Sequence, residues 1–228
     1  EMLSEESGVT AVFGSYDDDP DSTDDVSQFR NLLHHHVHQG SPGTVCTFWA
    51  GLGAIRRTAF VEAGGFIDHP IEDIELGMRL AEGGASIVLD PRVQGKHLKV
   101  WTVRSMVKTD LLVRGAPWIG LALSHRISPA VLNLGWRHRI SALASVSALG
   151  ALLFRRPRAA VTWLGVFLWF NRSFYKLMLR RTGPRTAAVG VALHLLHHLT
   201  GVAAVPTGLA LYVRKRRAED QCDSGSSA

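Results

Sequence analysis

The sequence predicts an α/β domain followed by a hydrophobic helical region. Three observations lead to this fold class: strand and helix patterns alternate up to about residue 114, long apolar stretches follow Trp136, and the charge changes sign along the chain. Residues 1–94 carry 16 acidic and 5 basic side chains, whereas residues 95–228 carry 4 acidic and 20 basic ones. The second part therefore favours an anionic surface. Because it is also very apolar, we expect lipid headgroups as partners and no nucleic acid.

The first part of the chain alternates between two kinds of local pattern. Three stretches rich in β-forming residues predict strands: residues 9–16, 47–56 and 86–89. Four stretches with helix start or stop signals predict helices: residues 24–38, 58–63, 70–81 and 102–114. This order implies helices layered on a sheet. Three strands make only a partial sheet, and no glycine-rich phosphate loop opens the chain, so we assign residues 1–118 to part of an α/β domain.

Three apolar segments follow, separated by clusters of arginine: residues 140–154, 159–170 and 187–213. A helix needs about 20 apolar residues to span a membrane, and the third segment alone meets this requirement comfortably. The first two segments suit interfacial, re-entrant or tilted helices. The alternative is a soluble helical hairpin, although residues 163–170 would form an unusually apolar soluble surface. We assign residues 119–217 to membrane-associated helices and residues 218–228 to a disordered polar tail.

The two cysteines, Cys46 and Cys222, are too few for a disulfide framework or a CxxC metal site. A reducing compartment is the simpler interpretation. The chain begins with Glu1 instead of Met, which suggests a fragment or a processed start.

A pair of carboxylates, Glu72 and Asp73, opens the helix predicted at residues 70–81. A carboxylate at a helix start can be fixed by backbone amides while it still faces a cleft. Such a group suits the general base that takes a proton from an acceptor hydroxyl. The alternative is that both residues merely cap the helix.

Five segments follow one another along the first part of the chain: Phe13-Gly-Ser-Tyr-Asp17, Phe48 to Arg57, Gly64-Gly65-Phe66, Ile71 to Leu80 and His97-Leu-Lys-Val-Trp101. Their order and spacing resemble the acceptor half of a family 2 glycosyltransferase with a GT-A-type catalytic domain. The resemblance covers residues 8–118 and implies a partial GT-A-like mixed sheet with flanking helices. Membrane-associated members are often followed by hydrophobic helices.

The resemblance also implies roles for individual residues. Asp73 would be the general base of an inverting transfer, and Glu72 would position either the acceptor or Asp73. Gly51 and Gly53 would shape the acceptor floor, with Arg56 facing the cleft.

Trp101 resembles the tryptophan of the family's QxxRW motif. Val100 stands where the arginine is expected, and Lys99 is the nearest positive charge, which favours transfer of a single sugar over processive polymerisation. Lys96 and Lys99 would hold the donor diphosphate as point charges.

His97 stands where some GT-A enzymes complete the site of a divalent metal, Mg²⁺ or Mn²⁺. The DxD motif that holds this metal and the nucleotide sugar lies upstream in the family, so we interpret Asp17-Asp18-Asp19-Pro20-Asp21 as a solvated loop. The nucleotide-binding half is therefore expected outside this sequence. An ordinary structural hydrogen bond is the alternative for His97.

Two groups of histidines suggest a weaker hypothesis, a histidine-rich metal-binding membrane protein. His34 and His38 share a helix face, but no glutamate stands between them as in HExxH zinc sites, and we prefer a polar face near the acceptor cleft. His194, His197 and His198 lie in the third apolar segment, where they would face a bundle interior or lipid phosphate, or serve helix packing.

The sequence thus predicts an enzyme that transfers a sugar from a nucleotide-sugar donor to a lipid or lipid-linked acceptor. We expect it at the plasma membrane with its catalytic part in the cytoplasm. The alternative is a catalytically inactive, membrane-anchored module that binds a lipid acceptor or a partner subunit.

Overall fold

The structure is a computed structural model that describes Leu3, residues 7–125 and residues 135–225, with side chains described as far as Arg217. Residues 126–134, which belong to the segment assigned to membrane-associated helices, lie outside the described residues.

The strands are β1 (Ala11–Tyr16), β2 (Gly43–Val45), β3 (Gly53–Ile55) and β4 (Ile87–Gly95). The helices of the α/β layer are α1 (Asp25–Gln39), α2 (Arg57–Glu62), α3 (Glu72–Glu82), α4 (Val103–Lys108) and α5 (Gly115–Ser124). The C-terminal helices are α6 (Trp136–Leu153), α7 (Pro157–Phe170) and α8 (Arg172–Gly225). A short 3₁₀ turn, Ala50–Leu52, precedes β3, and a π-helical turn, Thr109–Val113, joins α4 to α5.

The four strands form one mixed sheet in the order β2-β4-β1-β3. The central strands β1 and β4 are parallel, and the two short edge strands are antiparallel to their neighbours. In the register, Ala11 of β1 lies opposite both Ile87 of β4 and Ile55 of β3. The predicted mixed α/β architecture is confirmed at this level.

The single strand predicted at residues 47–56 is present only as β3, Gly53–Ile55. β2 and β3 lie on opposite edges of the sheet, and residues 46–52 cross between them. Phe48 is buried in this crossing, and a Cβ at Gly53 would lie only 2.4 Å from its ring. The glycine therefore lets the chain turn closely around the phenylalanine, which interrupts the strand.

The strand predicted to end at Leu89 instead continues to Gly95. Pro91 lacks a backbone N–H, yet it is accommodated because the pairing of β1 with β4 shifts there. Phe13 pairs with Leu89, but Ser15, two residues later, pairs with Gln94. The extra residues of β4 bulge out of the ladder between these pairs.

Helix starts follow the predicted capping chemistry. The side chain of Asp24 caps α1 by accepting from the amides of Val26 at 3.1 Å and Ser27 at 2.9 Å. Thr102 and Ser105 form a capping box at the start of α4. These caps fix the residues at which α1 and α4 begin.

The smallest of three apolar clusters packs Ile71 and Met78 against Leu121 of α5. Two larger clusters form most of the core. One lies between the sheet and α3, with Ala11, Phe13, Val45, Phe48, Leu76, Leu80, Ile87 and Leu89. The other joins α1 and α4 to α8, with Phe29, Leu32, Leu33, Trp101, Met106, Phe174, Met178, Ala187 and Leu193. The second cluster combines residues of α1 and α4 with residues of α8. The α/β layer and the last helix therefore share a core.

The three predicted apolar segments form α6, α7 and α8. Gly183 has a φ of 81° and separates two helical stretches within α8, and Pro184 follows it. Within the described residues, Arg172–Arg217 is the one helix that is long and apolar enough to cross a membrane. The tail predicted to be disordered from residue 218 is helical as far as Gly225, since Ala, Glu and Gln there are good helix formers. Residues 226–228 lie outside the described residues.

The C-terminal helices bury polar side chains along with apolar ones and leave several large apolar side chains exposed. Ser141, Ser145, Asn171, His194 and His198 are buried, whereas Leu152, Leu153, Phe154 and Trp169 are 61–79 % exposed. Asn171 donates to Ser141 Oγ at 2.8 Å and to the carbonyl of Phe167 at 2.9 Å. Such hydrogen bonds link α6 to the end of α7 through polar contacts.

Candidate functional site

A cavity of about 420 Å³ lies between the α/β layer and the C-terminal helices. Its walls come from β1, α1, the crossing after β2, the first turn of α3, α5, the start of α6, and α8. The ionisable side chains that line it are Tyr16, Arg30, His34, His38, Asp73, Asp110, Arg114, His138, Arg139, His197 and His198. A second cavity of about 480 Å³ shares His138, His197 and His198 with the first.

Asp73 lies in the cavity wall at the first turn of α3 and is half-buried. Its Oδ1 accepts from the backbone N–H of Ile74 at 2.9 Å, and its Oδ2 accepts from that of Ala50 at 3.4 Å. Two elements therefore fix the carboxylate while it faces the cavity. Glu72, the neighbouring carboxylate, is exposed and lies outside the cavity wall.

Gly51 and Gly53 lie behind the cavity wall, which Phe48 and Trp49 form at this place. A Cβ at Gly51 would approach the indole of Trp49 to 2.7 Å, and a Cβ at Gly53 would collide with Phe48. The two glycines thus shape the cavity indirectly, because they leave room for the rings of Trp49 and Phe48. Trp49 belongs to the segment Phe48 to Arg57, but the sequence did not indicate that its ring lies in the cavity wall.

An aromatic group at the end of β1 connects the cavity to the segment after β4. The ring of Tyr16 lies 4.5 Å from that of Trp49 and 4.2 Å from that of His97, centre to centre. Burial raises the pKa of Tyr16, so its hydroxyl remains a donor at neutral pH. Burial, with the charges of nearby Lys99 and arginines, lowers the pKa of His97, so its imidazole is neutral.

Trp101 is buried in the cluster that joins α1 to α8, and its backbone N–H donates to Ser27 Oγ at 2.7 Å. Two cations lie over its ring: Lys99 Nζ at 3.9 Å and the Arg30 guanidinium carbon at 4.8 Å from the centre. Burial and the charges of Arg114 and Arg30 lower the pKa of Lys99. Trp101 therefore supports a cationic group and lies behind the cavity wall, outside its lining.

A buried ion-pair network crosses the cavity from α1 to α8. Arg30 Nη1 lies 2.9 Å from Asp110 Oδ1, and His197 Nδ1 lies 2.7 Å from Asp110 Oδ2. Burial alone would raise the pKa of Asp110, but the His197 hydrogen bond and the charges of His197 and Arg30 outweigh it and lower the pKa. Asp110 thus stays ionised and holds both partners in place.

The sequence interpretation missed Arg30 and Asp110. The available signal was that Asp110 is the one acidic residue between Asp90 and Glu219. Such an isolated acid in a basic, apolar stretch indicates a paired charge. The partners, however, are 80 and 87 positions away along the chain.

The two groups of histidines do come together at the cavity. His34 and His38 line it from α1, and His197 and His198 line it from α8, together with His138. Burial lowers the pKa of His34 well below its ordinary value and lowers that of His38 to about 4, so both are neutral. Across the described ranges, no three His, Cys, Asp or Glu side chains are placed to hold a metal ion. The divalent metal with His97 as ligand stays a prediction.

Several residues expected at the site are held elsewhere. Arg56 lies outside the cavity wall, and its Nε donates to the carbonyl of Val9 at 2.8 Å. Lys96 pairs with Asp19 at 2.6 Å, and Arg181 pairs with Asp18. The acidic loop is thus partly neutralised by basic side chains from β4's end and α8.

In comparisons with known proteins, no protein-family model matches the chain, and no curated protein or solved structure is significantly similar to it.

Proposed function

We propose that this chain is the acceptor-binding part of a membrane-associated family 2 glycosyltransferase. It transfers one sugar, with inversion, from a nucleotide sugar to a lipid or lipid-linked acceptor. The observation that carries the proposal is the placement of Asp73 in the wall of a cavity that also borders the long apolar helix α8. An acceptor with a hydroxyl at Asp73 and an apolar part along α8 fits this geometry.

Asp73 acts as the general base. The amides of Ile74 and Ala50 occupy part of its lone-pair capacity and fix its orientation, which leaves the carboxylate able to accept the acceptor proton. The acceptor oxygen attacks the anomeric carbon, its proton passes to Asp73, and the bond from the sugar to the nucleotide diphosphate breaks. The diphosphate leaves with the electron pair of that bond.

The cationic residues around the cavity suit the charge that develops in this step. Arg30, Arg114 and Lys99 lie close enough together that their charges act on one another. Positive charge fixed beside a leaving phosphate stabilises it without reorganisation. Divalent Mg²⁺ or Mn²⁺, if the complete enzyme uses it as expected, would supply further Lewis-acid stabilisation of that diphosphate.

Membrane association is supported by the composition of the helical surface. The exposed side chains of α6 and α7 include Leu152, Leu153, Phe154 and Trp169, and the arginine clusters beside them suit anionic headgroups. We place the protein at the plasma membrane with the α/β layer in the cytoplasm, where that layer meets the nucleotide-sugar donor.

The test uses the protein produced from its own gene in native membranes. Asp73→Asn keeps the side-chain shape and removes the base, so sugar transfer to lipid should fall by at least about 100-fold, the lower range of general-base contributions, while donor binding persists. Glu62→Gln, an exposed carboxylate on α2, is the matched control and should transfer normally. Undiminished transfer by the Asp73 variant would contradict the base assignment. Acceptor binding with no transfer by the wild type would favour the inactive binding module.

A further inference from the structure

Two neighbouring arginines give one side of the cavity wall a positive charge. Arg30 and Arg114 line it, and burial followed by the nearby charge of Arg114 lowers the pKa of Arg30 against the opposing effect of Asp110. Asp110 is already shared between Arg30 and His197. Among the described residues, no carboxylate pairs with Arg114. Positive charge on this side is therefore incompletely balanced.

Two buried side chains in the same wall have hydrogen-bonding atoms without a partner. Arg30 and His198 are each 2 % exposed, and Arg30 Nε and His198 Nδ1 make no hydrogen bond. A buried polar atom left unpaired costs about 1–3 kcal/mol, so such atoms call for an explanation. Both residues line the cavity, where a ligand could satisfy them.

The wall next to these groups is apolar. Ile119 of α5, Ala142 of α6, and Val202 and Val205 of α8 line the cavity beside His198. A ligand held by the cations would thus extend its remaining part along apolar helices. This combination suits an amphiphile with an anionic headgroup better than a fully hydrated anion.

We propose that Arg30, Arg114 and His198 form a phosphate subsite in this cavity, with the apolar wall of α8 beside it. Arginine is suited to phosphate because its planar guanidinium presents several donors at once. The phosphate belongs to a lipid phosphate acceptor or to the departing nucleotide diphosphate. The proposal rests on the proposed function in naming these two ligands, but phosphate binding itself requires no sugar transfer.

The experiment measures binding to the full chain in detergent micelles by intrinsic fluorescence, because Trp49 and Trp118 line the cavity. The probes are farnesyl phosphate, its neutral analogue farnesol, and inorganic pyrophosphate. Farnesyl phosphate should bind at least about 10-fold more tightly than farnesol, the smallest effect expected for charged hydrogen bonds. Arg114→Gln should weaken farnesyl phosphate binding by about 10-fold.

Arg104→Gln is the matched control, since Arg104 is an exposed arginine on α4 outside the cavity wall, and it should bind normally. Arg30→Lys is the second variant: it keeps a cation beside Asp110 and removes the Nε donor, and it should weaken binding at an unchanged melting temperature. Equal binding of farnesol and farnesyl phosphate would overturn the subsite. So would an Arg114 variant that behaves like the Arg104 variant.

Competition identifies the source of the phosphate. Displacement of farnesyl phosphate by pyrophosphate at similar concentrations assigns the subsite to the departing diphosphate. Binding of the lipid phosphate without such displacement assigns it to the acceptor headgroup. Because no donor is present, failure of this binding is separate from failure of sugar transfer in the Asp73 variant.

Discussion

The α/β layer and the C-terminal helices both bury apolar side chains, but the helices also expose several large ones and contact one another through buried polar groups. The layer buries Phe13, Leu76 and Ile87 between its sheet and α3, as water-soluble domains do. The helices bury Phe167 but also Asn171, and they leave Trp169 64 % exposed. Removal of apolar surface from water drives the first arrangement. If the helices lie in a membrane, as proposed, their exposed apolar surface needs no protein partner, and buried polar groups serve helix association.

The cavity lies where these two regions meet. Asp73 comes from the layer, His197 and His198 come from α8, and the Arg30–Asp110 pair lies between them. A ligand in this position touches both a polar and an apolar environment.

Phe29→Ala should remove a side chain that joins the two regions. Phe29 is fully buried on α1, and its ring lies 5.9 Å from Phe174 and 5.8 Å from His194 of α8, centre to centre. The free energy of unfolding should fall by about 3–5 kcal/mol in a single transition, as for buried Phe truncations. Phe66→Ala, at a site 46 % exposed, should cost about 0.5 kcal/mol. Denaturant unfolding followed by fluorescence measures both. Two separate transitions, with only one affected, would show that the regions unfold independently.

Acid should loosen the same junction. Burial is the main cause that lowers the pKa of His36 and of His38 to about 4, and His36 lies 5.5 Å from the Phe174 ring. Because these folded-state values are below the ordinary 6.5, their stabilisation is complete above pH 6.5 and is lost as pH falls from 6.5 to about 4. The loss is on the order of 3 kcal/mol per histidine at most.

His38→Gln should flatten the dependence of the melting temperature on pH between 6.5 and 4, relative to the wild type. Between pH 7 and 9 both proteins should show parallel curves, since neutral histidines do not titrate there. Equal slopes in the acid range would contradict the lowered pKa of His38.

If the exposed face of α6 lies in lipid, as proposed, a charge placed there should lower stability more than the same charge on the α/β layer. Leu149 of α6 is 42 % exposed and Phe66 of the layer is 46 % exposed, so the two sites are matched. Leu149→Asp should lower stability in lipid nanodiscs by about 2–3 kcal/mol, the cost of an acidic side chain in a membrane. Phe66→Asp should cost about 1 kcal/mol or less. Equal thermal shifts for the two variants would argue that α6 faces water.

The smallest expected change in stability comes from removing one buried asparagine side chain in each region. Asn171 donates to Ser141 Oγ at 2.8 Å, and Asn31 donates to the carbonyl of Asp17 at 2.9 Å. Either Asn→Ala change should cost about 1 kcal/mol in melting experiments. A double-mutant cycle of Asn171→Ala with Ser141→Ala should give a coupling of about 0.6 kcal/mol, as in membrane helices. A coupling of zero would leave the polar interior without a role in helix association.

Much of the local structure was predictable because it depends on neighbouring residues. The cap at Asp24, the capping residue Thr102 and the carboxylates at the start of α3 all occur where the sequence indicates them. The long apolar segment in α8 also followed from composition. The crossing at residues 46–52 did not, because its path depends on how Phe48 packs under the sheet.

The residues predicted for the site also include some that the structure places at the cavity and some that it does not. Asp73 was identifiable from its place at a helix start, and the structure puts it in the cavity wall. Arg56 has the same local prominence, yet it hydrogen-bonds to Val9 away from the cavity. Local pattern identifies a polar residue, but the direction of its side chain depends on the partners that the fold supplies.

Caps, periodicity and composition were enough to predict several helices and strands, the reversal of charge and the apolar C-terminal helix. The packed structure was needed to show that Arg30, Asp110 and His197 meet in one buried network and that two histidine groups share one cavity. These contacts join residues 80 to 167 positions apart. Their formation depends on how helices pack across the sheet, and no local pattern of residues carries that information.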